Sequence, residues 1–433
     1  MFSKTNFYEK NNNVRAKLAA LLLTLVLATA AGALVQGTYE TLYKFTNSND
    51  GREPGAPLIS DQSTNLYGTT PTGGVNEEGT IFELIPQAEG RWKEKVLYNF
   101  CSLMGCVDGT QPDAGLIFDP AGSLYGTTAF GGANNEGTVF KLTPDSSGGW
   151  TESVLYSFCS LAGCSDGREP FAGLILDNAG NLYGTTSIGG NGNCYMSEAG
   201  CGAVFELTPK SDGSWKEGVL HAFCSLTSCT DGAFPRASLV LDRAGSLYGT
   251  ASYGGDNQNA GVAFKLTPAA GGSWKEQVIH RFSEGADGAT PQTSLIFDSV
   301  GNLYGTTTVG GAYGGGTVFE LTQNSNGSWK EAVLLQFKGT NGWQPSASLI
   351  LDGAGTLYGT TTYGGGLDCN CGIVYKLAPN SKGGWTETVL HKFDDRPGSH
   401  PVGNLIFDMS GNLCGTTKGD FQTTFGSVFK ITP

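Results

Sequence analysis

The most regularly placed carboxylates in this sequence belong to the pattern Asp-Gly-x-x-Pro. Its aspartates are Asp50, Asp108, Asp166, Asp231 and Asp287, and Asn341 takes the sixth position. A ring of carboxylates could hold a cation or a polar ligand. Asp-Gly is also common turn chemistry, and the proline restricts the backbone that enters the next strand. We favour the turn as the main role, and we retain Asp108, Asp166, Asp231 and Asp287 as candidate ligand-binding residues.

Trp343 and His400 are further candidate ligand-binding residues, because they interrupt a regular pattern. Trp343 follows Asn341-Gly342, whereas the other six tryptophans recur at one repeated position before an apolar strand. His400 precedes Pro401 in the next connecting segment of the same kind. An exposed tryptophan with polar neighbours suits stacking against a sugar ring. Packing of Trp343 over neighbouring loops is the alternative.

The sequence lacks the short motifs that mark common catalytic centres. It has no Gly-x-Ser-x-Gly nucleophile turn, no phosphate-binding glycine loop and no His-Glu-x-x-His zinc motif. His221, His280 and His391 occupy one strand position in three different repeats, so we do not expect them to share a metal. We therefore predict no catalytic residue, no metal and no cofactor.

Ten of the 11 cysteines form close pairs. Such pairs in an exported chain predict local disulfides, and a metal site is less favoured because it needs a second pair or histidines beside the first. The predicted pairs are Cys101/Cys106, Cys159/Cys164, Cys194/Cys201, Cys224/Cys229 and Cys369/Cys371. The pairing of Cys369 with Cys371 stays open, because Cys-x-Cys is geometrically tight. Cys414 occupies a position that is tyrosine elsewhere, and we predict a buried thiol.

Residues 1–33 have the organisation of a secretory signal peptide. Four basic residues precede the apolar run 18–27, and small residues follow with candidate cleavage sites after Ala30 and Ala33. A retained N-terminal anchor is the alternative. No second apolar run occurs, so no transmembrane segment is predicted in the mature chain.

The mature chain is strongly acidic. The whole sequence carries a net charge of −13, and the first 33 residues carry four positive charges and one negative charge, which leaves −16 for the remainder. An acidic surface repels nucleic acid and anionic lipid. We therefore exclude both as partners.

The motif Leu-Tyr-Gly recurs along the chain at intervals of 54 to 65 residues. Its central residues are Tyr67, Tyr125, Tyr183, Tyr248, Tyr304, Tyr358 and, in the seventh copy, Cys414. Periods of this length indicate a propeller or an array. Abundant glycine and aromatic residues with few charges also favour short strands and tight turns.

One repeat contains four predicted strands, at residues 114–119, 124–128, 137–142 and 154–158. Small residues precede the first strand in most copies, so we place that strand innermost, where strands converge on a channel. Residues 41–45 resemble a fourth strand without its first three, and residues 428–431 resemble a third strand without its fourth. Pairing the two closes the ring. The sequence thus predicts an all-β, seven-bladed β-propeller of four antiparallel strands per blade, over residues 37–433.

The double glycine, aromatic strand and tryptophan of each repeat resemble the kelch pattern. A closer resemblance is to the GloVer tandem-repeat family of exported bacterial proteins. It rests on residues 301–307, Gly-Asn-Leu-Tyr-Gly-Thr-Thr, followed by residues 316–322, Gly-Thr-Val-Phe-Glu-Leu-Thr. The resemblance implies an exported, surface-associated bacterial protein and supplies no catalytic residue.

Two sets of loops are expected on one face of the propeller, namely those between blades and those from the second to the third strand. This face holds nearly all variation in loop length and ten of the 11 cysteines. Ligands commonly bind to variable loops on a rigid scaffold. We expect a monomeric, non-catalytic binding protein whose partner is an extracellular glycan, another polymer or a surface protein. An extracellular hydrolase or lyase acting on polysaccharide, and a structural envelope component, are the alternatives.

Overall fold

Seven antiparallel sheets of four strands form the blades of a β-propeller in the computed structural model of the protein, as the repeat predicts. The structure describes residues 38–433 except 191–193, 195, 196, 198, 257, 367, 368, 395–397 and 421–423. The predicted signal peptide lies outside the described residues. Blades are numbered 1 to 7 along the chain, and the strands of a blade run from the first, at the channel, to the fourth, at the rim.

The first strands are Ile59–Ser60, Ile117–Phe118, Ile175–Leu176, Val240–Leu241, Ile296–Phe297, Ile350–Leu351 and Ile406–Phe407. The second strands are Leu66–Thr70, Leu124–Thr128, Leu182–Thr186, Leu247–Ala251, Leu303–Thr307, Leu357–Thr361 and Leu413–Thr417. The third strands are Thr80–Pro86, Thr138–Pro144, Ala203–Pro209, Val262–Pro268, Thr317–Gln323, Ile373–Pro379 and Ser427–Thr432. The fourth strands are Trp92–Asn99, Trp150–Ser157, Trp215–Ala222, Trp274–Arg281, Trp329–Gln336, Trp385–Lys392 and, in blade 7, Thr38–Lys44.

Short 3₁₀ turns are the helical elements of the part of the chain that the structure describes. They are Ala88–Gly90, Met104–Cys106, Ala162–Cys164, Thr227–Cys229 and Ala270–Gly272. Within the described ranges, none of these turns has the length or apolar character needed to cross a membrane.

The two ends of the ring meet in blade 7. Thr38–Lys44 pairs antiparallel with Ser427–Thr432, from Thr38 opposite Thr432 to Lys44 opposite Ser427. The predicted closure by the N-terminal strand is therefore confirmed. It supplies a partner for two strand edges that would otherwise be open.

The innermost and outermost strands differ in length from the prediction. In blade 2 the first strand is only Ile117–Phe118 rather than residues 114–119, because the preceding residues lie against the channel instead of pairing with the second strand. The fourth strand begins earlier, at Trp150, because the tryptophan pairs with Pro144 of the third strand. A β-bulge at Val139 and Phe140 adjusts the register between these strands.

The first three residues of Leu-Tyr-Gly-Thr-Thr make contacts inside a single blade. In blade 2, Leu124 is fully buried, and the hydroxyl of Tyr125 donates to Asp119 at 3.1 Å. Gly126 lies under the ring of Phe140, where an added Cβ would come within 2.6 Å of Cζ. Glycine is needed at this position because the phenyl ring fills the space of a side chain.

The two threonines of the motif tie the second strand to its neighbours. The Thr127 hydroxyl donates to the carbonyl of Ala172 in the next blade at 3.1 Å. The hydroxyl of Thr128 lies 2.8 Å from that of Thr138 on the third strand. The five residues of the motif thus have three roles: they pack inside the blade, they allow an aromatic ring to approach the backbone closely, and they form a hydrogen bond to the next blade.

An aromatic edge-to-face contact recurs at every blade boundary. Phe158, just after the fourth strand of blade 2, meets Phe205 on the third strand of blade 3 with ring centroids 5.0 Å apart. The other boundaries have the pairs Phe45–Phe82, Phe100–Phe140, Phe223–Phe264, Phe282–Phe319, Phe337–Tyr375 and Phe393–Phe429. Such a pair contributes about 0.5–1.5 kcal/mol beyond the burial of its area.

Replacement of Gly305 by alanine should destabilise the protein, because the new Cβ would lie 2.6 Å from Phe319 Cζ and 2.9 Å from Leu295 Cδ2. Overpacking of this kind costs about 1–3 kcal/mol in the free energy of unfolding. Urea denaturation of Gly305→Ala and Gly353→Ala measures the effect. Gly353 has open space around its Cβ position and should tolerate alanine. Equal stability of the two variants would contradict the packing role of the glycine.

Candidate ligand-binding face

Three of the candidate aspartates are buried in the loops between blades. Asp108, Asp166 and Asp231 have no exposed surface. Asp108 accepts a hydrogen bond from the Tyr98 hydroxyl at 2.8 Å and bonds from the backbone N–H and hydroxyl of Ser102 at 2.8 and 2.9 Å. The structure therefore uses these carboxylates to fix the turn that follows the fourth strand, and it does not bring them together at one surface.

Asp287, the fourth candidate aspartate, has a similar environment. It accepts a hydrogen bond from the Ser283 hydroxyl at 2.6 Å, and Nε2 of His280 lies 3.3 Å from its other oxygen. His221 approaches Asp231 at the same distance. These strand histidines thus lie beside the turn aspartate, where Tyr98 and Tyr156 lie in other blades.

A glutamate of the following blade lies close to each turn aspartate. Oε1 of Glu152 is buried and accepts no hydrogen bond from any residue that the structure describes. Burial and the charge of Asp108 raise the pKa of Glu152 to about 7. Four more glutamates have an orphaned oxygen and a pKa raised to about 7, with burial as the first cause and an aspartate charge contributing: Glu94, Glu217, Glu276 and Glu331.

In the sixth copy of the Asp-Gly turn, the corresponding glutamate accepts a hydrogen bond from an amide. Asn341 replaces the aspartate, and its Nδ2 donates to Oε2 of Glu387 at 2.9 Å. An amide supplies the proton that two facing carboxylates lack. Each of the five carboxyl pairs is consequently expected to hold a proton more tightly in the folded protein than in the unfolded chain.

Trp343 and His400 lie in one aromatic group on the face that carries the loops between blades. The Trp343 ring packs on the glycine pair Gly314–Gly315, and its backbone pairs with Tyr363. The Tyr363 ring is 36% exposed and meets the His400 ring edge-on with centroids 5.0 Å apart. Tyr313 directly precedes the glycine pair on which Trp343 packs and is exposed. We call Tyr313, Trp343, Tyr363 and His400 the aromatic ridge. Trp343 is half-buried, so its ring packs on neighbouring loops and also keeps part of its surface open to solvent.

The residue before each proline between blades has a left-handed backbone conformation, with φ between 54° and 62°. These residues are Glu53, Gln111, Glu169, Phe234, Thr290, Gln344 and His400. The Gln111 N–H donates to Glu78 O at 3.0 Å, and its carbonyl accepts from the Ala129 N–H at 2.9 Å. A non-glycine residue in this region costs about 1–2 kcal/mol, and the two hydrogen bonds hold the conformation. The turn thereby fixes the direction of the residue that follows the proline.

Those following residues surround the mouth of the central channel. We call them the mouth ring: Gly55, Asp113, Phe171, Arg236, Gln292, Ser346 and Val402. With Lys418 they line a cavity of about 350 Å³, which adjoins a deeper cavity of about 230 Å³. No two members are the same residue type, although the proline before them recurs in all seven blades. The repeat loses its symmetry at this position.

The charged residues at the channel mouth, including Lys418, are positioned by their neighbours. The Arg236 guanidinium lies 5.6 Å from the centroid of the Phe171 ring. The Lys418 side chain occupies the space beside Gly55, which any Cβ there would invade. Burial raises the pKa of Asp113, and the charge of Lys418 opposes that effect.

Small and polar residues narrow the channel below the mouth ring. They are Pro57, Gly115, Gly173, Ser238, Ser294, Ser348 and Asn404. Oδ1 of Asn404 accepts from the Ser348 N–H at 2.7 Å, and the Ser348 hydroxyl accepts from the Ser294 N–H at 2.8 Å. The floor is therefore polar beside blades 4 to 7 and formed by glycine and proline beside blades 1 to 3.

Five disulfides lie in loops of the face that carries the mouth ring. They join Cys101–Cys106, Cys159–Cys164, Cys194–Cys201, Cys224–Cys229 and Cys369–Cys371. Sulfur atoms of Cys201, Cys224 and Cys229 lie within 4.8 Å of one another, but they belong to two neighbouring disulfides and have no free thiolate for a metal. Cys414 is free and buried.

Sequence reasoning missed the mouth ring, although a signal for it was present. The segment from the Asp-Gly turn to the first strand has a recurring proline followed by a position that differs in every copy. The recurring aspartates were the predicted candidates instead, and Asp108, Asp166 and Asp231 are buried. Lys418 had a similar signal, since Ala, Ser or Thr holds the equivalent place in most other blades.

The fold and this varied mouth define a closed seven-bladed β-propeller with a candidate ligand site at one end of its channel. The chain belongs to the Gloeobacter/Verrucomicrobia repeat family, which matches residues 29–197, 108–300 and 274–433. No curated protein matches it.

Solved structures with a similar fold include PorZ, a bacterial surface component of the type-IX secretion system of Porphyromonas gingivalis. The match has 14% identity and a TM-score of 0.49, and it covers 91% of this chain and 48% of PorZ. This chain thus spans about half the length of PorZ. A protein of unknown function from Dyadobacter fermentans has 11% identity and a TM-score of 0.43, with 91% and 96% of the two chains covered.

Replacement of Glu152 by glutamine should stabilise the protein at alkaline pH. The folded pKa of about 7 lies above the ordinary value of 4.5, so the folded state binds the extra proton between these values and stability falls as pH rises through 7. Glutamine does not ionise, so the variant should not lose this stability as the pH rises. Thermal unfolding should show a Tm a few degrees above the unmodified protein at pH 8 and an equal Tm at pH 4.

Asn341→Asp is the reverse test, because it creates a sixth carboxyl pair with Glu387. It should lower the Tm at pH 8 and have less effect at pH 5. A difference between either variant and the unmodified protein that does not vary with pH would contradict the proton-binding role of the pairs.

Proposed function

We propose that the protein is an exported or cell-surface, non-catalytic binding protein whose ligand is an extracellular glycan. The observation that carries the proposal is the loss of symmetry at the mouth ring. A residue that only supports the fold recurs from blade to blade, as Leu-Tyr-Gly does. Seven unlike side chains on one repeated backbone position instead suit the recognition of an asymmetric ligand.

Two further features support export and a sugar ligand. Five disulfides are typical of proteins that mature in an oxidising compartment. The aromatic ridge offers partly exposed rings, with Tyr313 60% and Tyr363 36% exposed. Aromatic rings beside polar groups suit the apolar faces and hydroxyls of sugars.

A polysaccharide hydrolase or lyase is the second candidate. One observation favours it, because Asp113 lines a cavity with its pKa raised by burial. A perturbed acid in a cavity is a common feature of catalytic sites. Cleavage of a glycan by acid catalysis also needs a second carboxylate on the other side of the bond, and the remaining six members of the mouth ring are not acidic.

Mature protein incubated with a panel of insoluble polysaccharides should be retained without releasing soluble fragments. Tyr363→Ala and Trp343→Ala should each weaken retention about tenfold, because loss of a stacking ring removes roughly 1–2 kcal/mol of binding. Met409→Ala is the matched control, because Met409 is 78% exposed in a first-hairpin turn on the opposite face. Released fragments would instead assign a hydrolase or lyase, and neither retention nor fragments would favour a structural envelope role.

A further inference from the structure

The cations of the channel mouth are available to a ligand. Arg236 is exposed, and neither Arg236 nor Lys418 has a carboxylate oxygen within 4 Å in the part of the chain that the structure describes. Other arginines of these loops are paired, as Arg168 is with Glu136 at 3.0 Å. Each cation has a carboxylate nearby, Glu169 for Arg236 and Asp113 for Lys418, but among the described residues neither carboxylate forms an ion pair with its cation. The N–H groups of both cations are therefore available to a ligand.

Arg236 is also held in place before any ligand arrives. The Phe171 ring lies against its guanidinium, and Phe171 is itself supported edge-on by Phe130 with centroids 6.1 Å apart. Cation–π contact orients the guanidinium and reduces the entropy lost on binding. The N–H groups at its edge stay free to donate in pairs to a carboxylate.

Uncharged hydrogen-bonding groups continue the same side of the mouth. Gln292 and Ser346 follow Arg236 on the next two blades and line the same cavity. Lys418 reaches the cavity across Gly55, which leaves room for it. A cavity of about 350 Å³ lies at the lower end of the range for small-ligand sites, so it has room for a sugar unit rather than a folded partner.

From this arrangement we infer that the channel mouth binds the acidic end unit of a glycan, a hexuronate whose carboxylate bonds to Arg236. Gln292 and Ser346 donate to or accept from its ring hydroxyls, and Lys418 adds positive charge on the other side. The inference rests on the proposed glycan-binding function and names the sugar class. Asp113, the one acidic member of the mouth ring, opposes the ligand charge and limits the affinity.

Calorimetric titration of the mature protein with short uronates tests the inference. The probes are trimers of galacturonate, glucuronate and mannuronate, each beside its fully methyl-esterified form, which keeps the sugar rings and replaces every carboxylate by an uncharged methyl ester. At least one acidic trimer should bind, and its ester should bind at least about tenfold more weakly, since a charge-assisted hydrogen bond is lost.

Arg236→Gln should weaken binding of that trimer about 10- to 100-fold. Arg243→Gln is the matched control, because it removes the same charge from the same blade in an exposed turn on the opposite face. Asp113→Asn should tighten binding severalfold by removing the opposing charge, a gain that misfolding cannot produce.

Three results would overturn the inference: no binding of any acidic trimer, equal binding of acid and ester, or unchanged binding by Arg236→Gln. These outcomes are separate from the failure of the proposed function. A protein that is retained on neutral polysaccharides but ignores uronates remains a glycan-binding protein with a different sugar class at its mouth.

Discussion

The seven blades are held in register by one aromatic contact that each of them makes twice. The third-strand ring of a blade packs over the second-strand glycine of its own sheet, and it also meets the edge of a ring from the preceding blade. Phe140 shows both contacts, with Gly126 and with Phe100. A bulkier residue at the glycine would displace the ring and with it the neighbouring blade. The distance between adjacent sheets is therefore set by a residue without a side chain.

That rigid spacing permits the variety at the channel mouth. The turn before each inner strand is fixed by the proline, by the left-handed residue before it and by two backbone hydrogen bonds across the blade boundary. None of these interactions involves the side chain of the residue that follows. Gly55, Asp113, Phe171 and Arg236 therefore share one backbone geometry, and the cost of exchanging one for another is local.

The sequence predicts the fold well because the fold is repeated. Seven copies of the motif specify the strand count, the inner position of the first strand and the closing strand. Where one copy departs from the pattern, as at Cys414, the other six still identify the strand. The residues of the candidate site differ from blade to blade, so the copies cannot be compared in this way. Asp108 looks like a ligand in the sequence, but its burial depends on Tyr98 and Ser102 closing over it. Lys418 and Gly55 are 363 residues apart, and only the closed ring makes the two residues neighbours.

Closure by the strand Thr38–Lys44 has a consequence for the biogenesis of the protein. This strand is the first of the described strands to be synthesised, yet its partner, Ser427–Thr432, is the last of them. Blade 7 consequently cannot assemble before Thr432 has been synthesised, and the early strand stays without its partner until then. Contacts so distant in sequence form slowly. The ring consequently stays open until its last strand has been made, and the other six blades cannot depend on a closed ring for their first contacts.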